Sequence, residues 1–385
     1  MSENVGVREI AMIIRRCIAL LVACSVFVGS LFNCGAEATV PSLSAKSAVL
    51  INTVTGTIIG GKNEHERRSI ASVTKIMTAL LLLEAGNLDL PFVVDALAIK
   101  IGGTSMGLRE GDIVTRRALL YGILLPSGND AASAAAVSVS GSEKLFVKLM
   151  NKRAAELGLE NTHFANPHGL DEEGHYSSAY DLALLTVAAM KNADFREIVS
   201  AKTATLKYGN PPYTRKLKNN NKLLSLYDGA VGVKTGFTDD ARRTLVGAAE
   251  RDGVRLIAVT LNAPDDWEDQ RKMFDYGFEV VKPREVWFDT RDIFAKSADG
   301  KTNVPVSLTE PIILPLAESE MPYIAYQYKL KSFLYAGYKK GDYAGTVTVT
   351  FKGKPLHSVN LVAAVDDTTP IKKKTFLEKL FGYTS

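Results

Sequence analysis

The spacing of apolar positions along this chain changes character several times. Residues 48–51 (Ala48-Val49-Leu50-Ile51) and 57–60 (Thr57-Ile58-Ile59-Gly60) are short β-type runs with polar turn residues between them, which predicts a hairpin. Residues 72–84 then turn helical. Ile76, Met77, Ala79, Leu80, Leu81 and Leu83 leave little polar surface, so this helix is expected to be buried nearly all round. Two further helical stretches, 119–125 and 130–139, are broken at Pro126-Ser127-Gly128; 144–157 and 178–191 carry helical spacing as well. Strand patterning returns at 229–234, 244–249 and 254–261, the last closed by Asn262-Ala263-Pro264, before a helix over 268–280. Beyond Pro283-Arg284 the pattern is β-rich at 304–316, 324–330, 345–351 and 359–365, with a turn at Gly353 between two lysines. The expectation is a larger α/β (α+β) domain over 45–283 and a smaller all-β domain over 286–366.

Both ends stand apart from this pattern. Arg15-Arg16 precedes an apolar run over 17–32, and small residues follow, with Ala36-Glu37-Ala38 as a cleavage site. Residues 1–38 read as a secretory signal peptide, because the run falls short of the roughly 20 apolar residues that span a bilayer. An uncleaved anchor and a lipoprotein signal around Cys34 are the competing readings. Residues 370–385 place Phe376, Leu377, Leu380 and Phe381 on one helical face, with Lys372, Lys373, Lys374 and Lys379 before and among them. This is a candidate amphipathic tail for peripheral membrane contact, against the plainer reading of a helix docked on the β domain.

Composition narrows the compartment. Cys17, Cys24 and Cys34 are the chain's three cysteines and all lie in the leader, so the mature protein has no thiol for a disulfide, a nucleophile or a metal. The net charge of +4 is mild and no block of five or six like charges occurs, so nucleic acid is not an expected partner. An exported protein, in the wall or on the outer face of the cytoplasmic membrane, fits these features.

Three short blocks carry the chemistry: Ser72-Val73-Thr74-Lys75, Ser127-Gly128-Asn129 and Lys234-Thr235-Gly236. Singly each has a bland explanation as a helix cap, a turn or an edge strand. In this order they form the set used by serine penicillin-binding proteins and β-lactamases, in which the first serine is the nucleophile. A serine hydroxyl needs a base to take its proton. Ser72 and Lys75 share a helix face, and burial beside another cation would make Lys75 neutral enough to serve. Ser127 can relay a proton to a leaving amine, and Asn129 can hold both a substrate amide and Lys75. Lys234 and Thr235 can bind a carboxylate. Gly236 removes a side chain where a substrate backbone must approach, and the Phe237 and Ser72 N–H groups can form an oxyanion hole.

The chain resembles the low-molecular-mass penicillin-binding proteins that are D-alanyl-D-alanine carboxypeptidases, the S11 peptidases. The resemblance rests on Ala71-Ser72-Val73-Thr74-Lys75-Ile76-Met77-Thr78, Leu124-Leu125-Pro126-Ser127-Gly128-Asn129-Asp130, Asn166-Pro167-His168-Gly169-Leu170-Asp171 and Gly232-Val233-Lys234-Thr235-Gly236-Phe237-Thr238. It implies the penicillin-binding-protein fold, an antiparallel sheet flanked by helices, followed by a small β domain. It also implies a Ser72 acyl-enzyme formed on the penultimate D-Ala of a peptidoglycan stem peptide, acylation by β-lactams, no cofactor, and a membrane-facing tail. One departure is the segment Pro264-Asp265-Asp266-Trp267, where many members place an arginine. Arg242 or Arg243 is expected to supply that cation for the substrate carboxylate.

Three rivals meet obstacles in the sequence. A class A β-lactamase needs Glu-x-x-Leu-Asn between the second and third blocks, and residues 156–160 are the nearest approach. A metallopeptidase would draw on His163, His168 and His175, but His-Glu-x-x-His is absent. A non-catalytic wall-binding relative would be expected to lose Ser72, Lys75 or Lys234, and all three are present.

Overall fold

The computed structural model describes residues 40–96 and 99–368, so the leader and the tail lie outside the described residues. The expected hairpin is strands Ser47–Asn52 and Ile58–Lys62. It is one edge of a five-stranded antiparallel sheet that continues through Val254–Leu261, Arg242–Arg251 and Ala230–Thr238. The first strand of the domain thus pairs with the last, Ala48 opposite Thr260 and Ile51 opposite Ile257.

Helices cover both faces. On one side lies a mostly helical layer whose core includes Ile76, Met77, Leu82, Leu119, Ile123, Phe146, Leu182 and Phe195, packed on Val49, Ile51, Val246 and Val259. The other face is covered by helix Asp266–Val280, which buries Met273, Phe274 and Phe278 against Leu50, Leu256 and Ala258. Alternation along each strand sends successive side chains to opposite layers, which is why both faces of the central strands read as apolar.

The helix expected over 72–84 is two elements. Ala71–Thr74 is a 3₁₀ turn that runs directly into the α-helix Lys75–Glu84. The break at 126–128 is as expected, between helices Arg116–Leu124 and Asn129–Ser140.

Strand Val281–Glu285 follows the last helix without a loop and pairs with Ile313–Ala317. The β stretch expected at 304–316 is therefore two strands in two sheets, because Asn303–Leu308 belongs instead to the main sheet of the β domain. That sheet runs Phe294–Lys296, Asn303–Leu308, Lys354–Ala363, Tyr343–Phe351, Ile324–Leu330, all antiparallel, around a separate core that includes Val304, Val306, Leu314, Val347, Val349 and Leu361. Glu320, buried in the 3₁₀ turn Glu318–Tyr323, joins the two domains: it accepts from Asn52 Nδ2 at 3.0 Å, from Thr55 Oγ1 and from Ala317 N at 2.7 Å.

Candidate active site

Ser72 lies in the short 3₁₀ turn, and its geometry begins with a strained neighbour. Ala71 has φ +49°, a region that costs a residue with a Cβ. The turn is held from outside. His175 Nδ1 accepts from Ala165 N at 3.0 Å, so its proton sits on Nε2, which donates to Thr74 Oγ1 at 2.7 Å. Thr74 Oγ1 then donates to Ala71 O at 2.7 Å. Burial pulls the His175 imidazole down to about 4, which keeps it in the neutral form this chain of bonds requires.

One turn later, Lys75 is fully buried and its Nζ has three neighbours. Ser72 Oγ is at 2.9 Å, Asn129 Oδ1 at 2.7 Å and the carbonyl oxygen of His168 at 2.5 Å. Burial, reinforced by the nearby Lys234 charge and opposed by Asp130, holds the Lys75 amine well below its usual range. A neutral amine has two N–H groups and one lone pair. Two carbonyl-type acceptors can take those N–H groups, and the Ser72 hydroxyl can donate to the lone pair.

Ser127 joins two helices at φ +68°. Its Oγ is buried and makes no hydrogen bond within the protein, which leaves it unspent on the wall of the cleft. Asn129 Nδ2 donates to Gly102 O at 2.7 Å, so this amide bridges Lys75 to the loop beyond it. Asp130 holds that loop: its carboxylate accepts from Met106 N and Leu108 N at 2.9 Å and from Ser105 Oγ at 2.6 Å.

Lys234 is buried on the sheet-edge strand, with its Nζ donating to Thr235 O at 2.8 Å. Burial lowers its amine to about 7. Gly236 lies against the Ser72 turn. A Cβ there would sit 3.0 Å from Ser72 N and 2.4 Å from Thr244 Oγ1, so the glycine is needed by the protein's own packing as well as by any ligand. Thr238 Oγ1 donates to Asp171 at 2.6 Å, tying the end of this strand to the 166–171 loop.

These groups line one cleft of about 380 Å³, whose walls include Ser72, Ser127, Asn129, Thr235, Gly236 and Phe237. Arg243 and Trp267 line it too. Arg243 donates to Asp266 from Nε and Nη2 at 3.0 and 2.6 Å, so part of its charge is already matched. Arg242 is exposed at the strand end, φ +56°, and is not part of the cleft wall.

The sequence reading had no role for the His168 carbonyl, for His175 with Thr74, or for Asp130, although Asp130 and His168 stand in the stretches that carry the resemblance. The three histidines of the metallopeptidase reading have separate partners. His163 Nδ1 meets Gly174 O at 2.7 Å, and His168 Nδ1 accepts from Leu170 N at 3.3 Å. The described residues hold no group of three or more histidine, cysteine or acidic side chains placed for a metal.

Comparison with known proteins decides the family. A family profile described as D-alanyl-D-alanine carboxypeptidase, Peptidase S11, matches residues 35–265. The chain belongs to this family. A second profile, the C-terminal domain of penicillin-binding protein 5, matches residues 270–369. Among S11 relatives, D-alanyl-D-alanine carboxypeptidase DacF of Bacillus subtilis is 37% identical over 349 residues, 88% of this chain and 89% of that one. The solved structure of the Streptomyces K15 DD-transpeptidase is 37% identical with a TM-score of 0.60, covering 63% of this chain and all of that one. The carboxypeptidase DacD of Francisella tularensis is 26% identical with a TM-score of 0.61 over 86% of this chain and 95% of that one. The S11 assignment makes this a serine-type peptidase of the penicillin-binding-protein fold with a C-terminal β domain.

Proposed function

We propose that this protein removes the terminal D-Ala from peptidoglycan stem peptides through an acyl-enzyme on Ser72. The arrangement around Lys75 carries the reading: a buried amine whose hold on a proton is weakened by burial and by the Lys234 charge, with two carbonyl-type acceptors and the Ser72 hydroxyl within hydrogen-bond reach. Lys75 takes the proton as Ser72 Oγ attacks the carbonyl carbon of the penultimate D-Ala. The negative charge that develops on that oxygen is met by the N–H groups of Ser72 and Phe237. The peptide C–N bond breaks, Ser127 passes a proton to the departing D-Ala amine, and water then cleaves the ester to release the shortened peptide. Lys234 and Thr235 hold the substrate carboxylate, and Arg243, with Nη1 left over from its pairing with Asp266, supplies the cation that Pro264-Asp265-Asp266-Trp267 lacks.

A β-lactam enters the same path, but its ring amide stays tethered after opening, so the ester persists. The protein works outside the cytoplasmic membrane, where the leader over 1–38 would deliver it. The deciding experiment is mass spectrometry of the mature protein with benzylpenicillin, followed over hours. One adduct mapping to Ser72, and none in Ser72→Ala, is expected. An adduct that clears within seconds would instead make the protein a β-lactamase. Arg243→Ala should raise KM for a D-Ala-D-Ala peptide with little change in kcat, and the same kinetics in Arg243→Ala and Arg242→Ala would remove Arg243 from the account.

A further inference from the structure

The β domain has two ends that differ in chemistry. At one end Glu320 binds Asn52 and Thr55 of the catalytic domain. Strand Ile324–Leu330 then runs away from that junction for seven residues, roughly 20 Å at about 3.3 Å per residue. At its far end the segment 331–343 turns back. Leu334 and Tyr338 are buried and anchor the turn, with Leu334 N donating to Lys296 O at 2.7 Å. Three aromatic residues around these anchors point outward. Phe333 is 42% exposed, Tyr335 77% and Tyr343 43%, with the Phe333 and Tyr335 rings edge-on at 5.1 Å. Lys331, Lys339 and Lys340 stand among them, Lys331 over the Tyr343 ring at 5.0 Å. Asp342 and Asp366 accept from the backbone N–H groups of Lys339 and Lys340, so the acidic residues here shape the turn.

The described chain leaves from this same spot. Gly337 N donates to Asp367 Oδ2 at 2.7 Å and Asp367 N donates to Tyr338 O at 2.8 Å. The sequence that follows is Lys372-Lys373-Lys374, then Phe376, Leu377, Leu380 and Phe381.

We propose that the 331–343 tip is itself a membrane contact, seating Phe333, Tyr335 and Tyr343 in the headgroup region of an anionic bilayer with its three lysines toward lipid phosphates. Exposed aromatic rings ringed by lysines suit a bilayer interface, where one end of a side chain is dry and the other wet. Position selects lipid over wall glycan: the tip is at the end of the β domain opposite its junction with the catalytic domain, and a basic apolar segment continues from it. The proposal rests on the extracytoplasmic reading above, not on the tail forming a helix.

The test is flotation of the protein, with its C-terminus intact, on phosphatidylglycerol/phosphatidylethanolamine vesicles and on phosphatidylcholine vesicles. Phe333→Ser with Tyr335→Ser should lower partition about tenfold with hydrolysis of a soluble D-Ala-D-Ala peptide unchanged. Lys339→Gln with Lys340→Gln should erase most of the preference for phosphatidylglycerol. In Tyr335→Trp, which keeps a large ring, brominated lipid should quench the new fluorescence on binding. Unchanged partition in the serine pair, or no quenching in vesicle-bound Tyr335→Trp, overturns the tip. Phe376→Ser with Leu380→Ser reads the tail separately: loss of all binding there, with the serine pair unaffected, leaves the tail as the membrane contact and removes the tip. Loss of binding to purified wall, but not to vesicles, in the serine pair would reassign the tip to glycan.

Discussion

At the residue scale, two buried lysines divide one task. In the mechanism proposed above, Lys234 is charged to hold a carboxylate, while Lys75 is neutral to accept a proton. Burial lowers Lys234 to about 7, and burial followed by the Lys234 charge takes Lys75 well below its usual range. The kcat/KM for a D-Ala-D-Ala peptide should therefore fall as pH rises through about 7, where the free enzyme loses the Lys234 charge. A bound carboxylate restores that charge, so kcat should hold further into the alkaline range. Lys234→Arg should keep kcat/KM high above pH 8, and a pH profile with the same alkaline limb would refute this division. The stability sign runs the same way. An unfolded Lys234 keeps its proton up to about 10.5 while the folded one gives it up near 7, so this residue makes the fold more stable as pH rises between those values. Denaturant midpoints for Lys234→Met should show a flatter rise over that interval. Thr74→Val breaks the bonds from His175 and to Ala71 O together. It should cost about 1–3 kcal/mol and slow acylation, read by thermal unfolding and by the rate of penicillin adduct formation.

At the element scale, the working part is a 3₁₀ turn clamped by loops. A Cβ on Gly169 would stand 2.0 Å from Ala71 O, and φ is +86° there. Gly169→Ala should therefore cost about 1–3 kcal/mol and displace Ser72, with both melting temperature and acylation rate reduced; an alanine variant with normal acylation would show that the 166–171 loop does not set the turn. The three blocks were legible in the sequence because their chemistry resides in side chains of restricted type. The clamp was not, because the His168 carbonyl and the N–H groups gathered by Asp130 are backbone groups that every residue owns. The same limit explains the missed elements. Hairpin Thr203–Lys218 is mostly exposed, so it has little apolar period to detect. Helix Ala193–Ser200 is only two turns long, and its clearest mark was the Asn192 cap on Phe195 N. Strands 230–238, 242–251 and 254–261 were readable because both their faces are covered.

At the scale of the whole molecule, one carboxylate stands at the junction of the two domains, beside the Asn52–Pro315 hydrogen bond and the packing of Ala317 with Leu50 and Phe278 in one apolar cluster. Glu320 is buried with three donors and no lysine or arginine among them. Glu320→Ala leaves Ala317 N without its acceptor and Asn52 Nδ2 with Pro315 O alone, and should cost about 1–3 kcal/mol or split the calorimetric transition into two; one unshifted transition would mean the domains are held elsewhere. The pairing of strand Ser47–Asn52 with Val254–Leu261 bears on a different matter, the order of events as the chain emerges. The first strand can pair at once with Ile58–Lys62 on one edge, but its other edge has no partner until some two hundred residues more have appeared, and contacts of such long range form late. Ser72 likewise waits for Gly236 to complete its surroundings. On the proposed mechanism, a half-emerged chain thus carries Ser72 without the means to use it, and reactivity toward substrate or an antibiotic switches on only when the sheet closes.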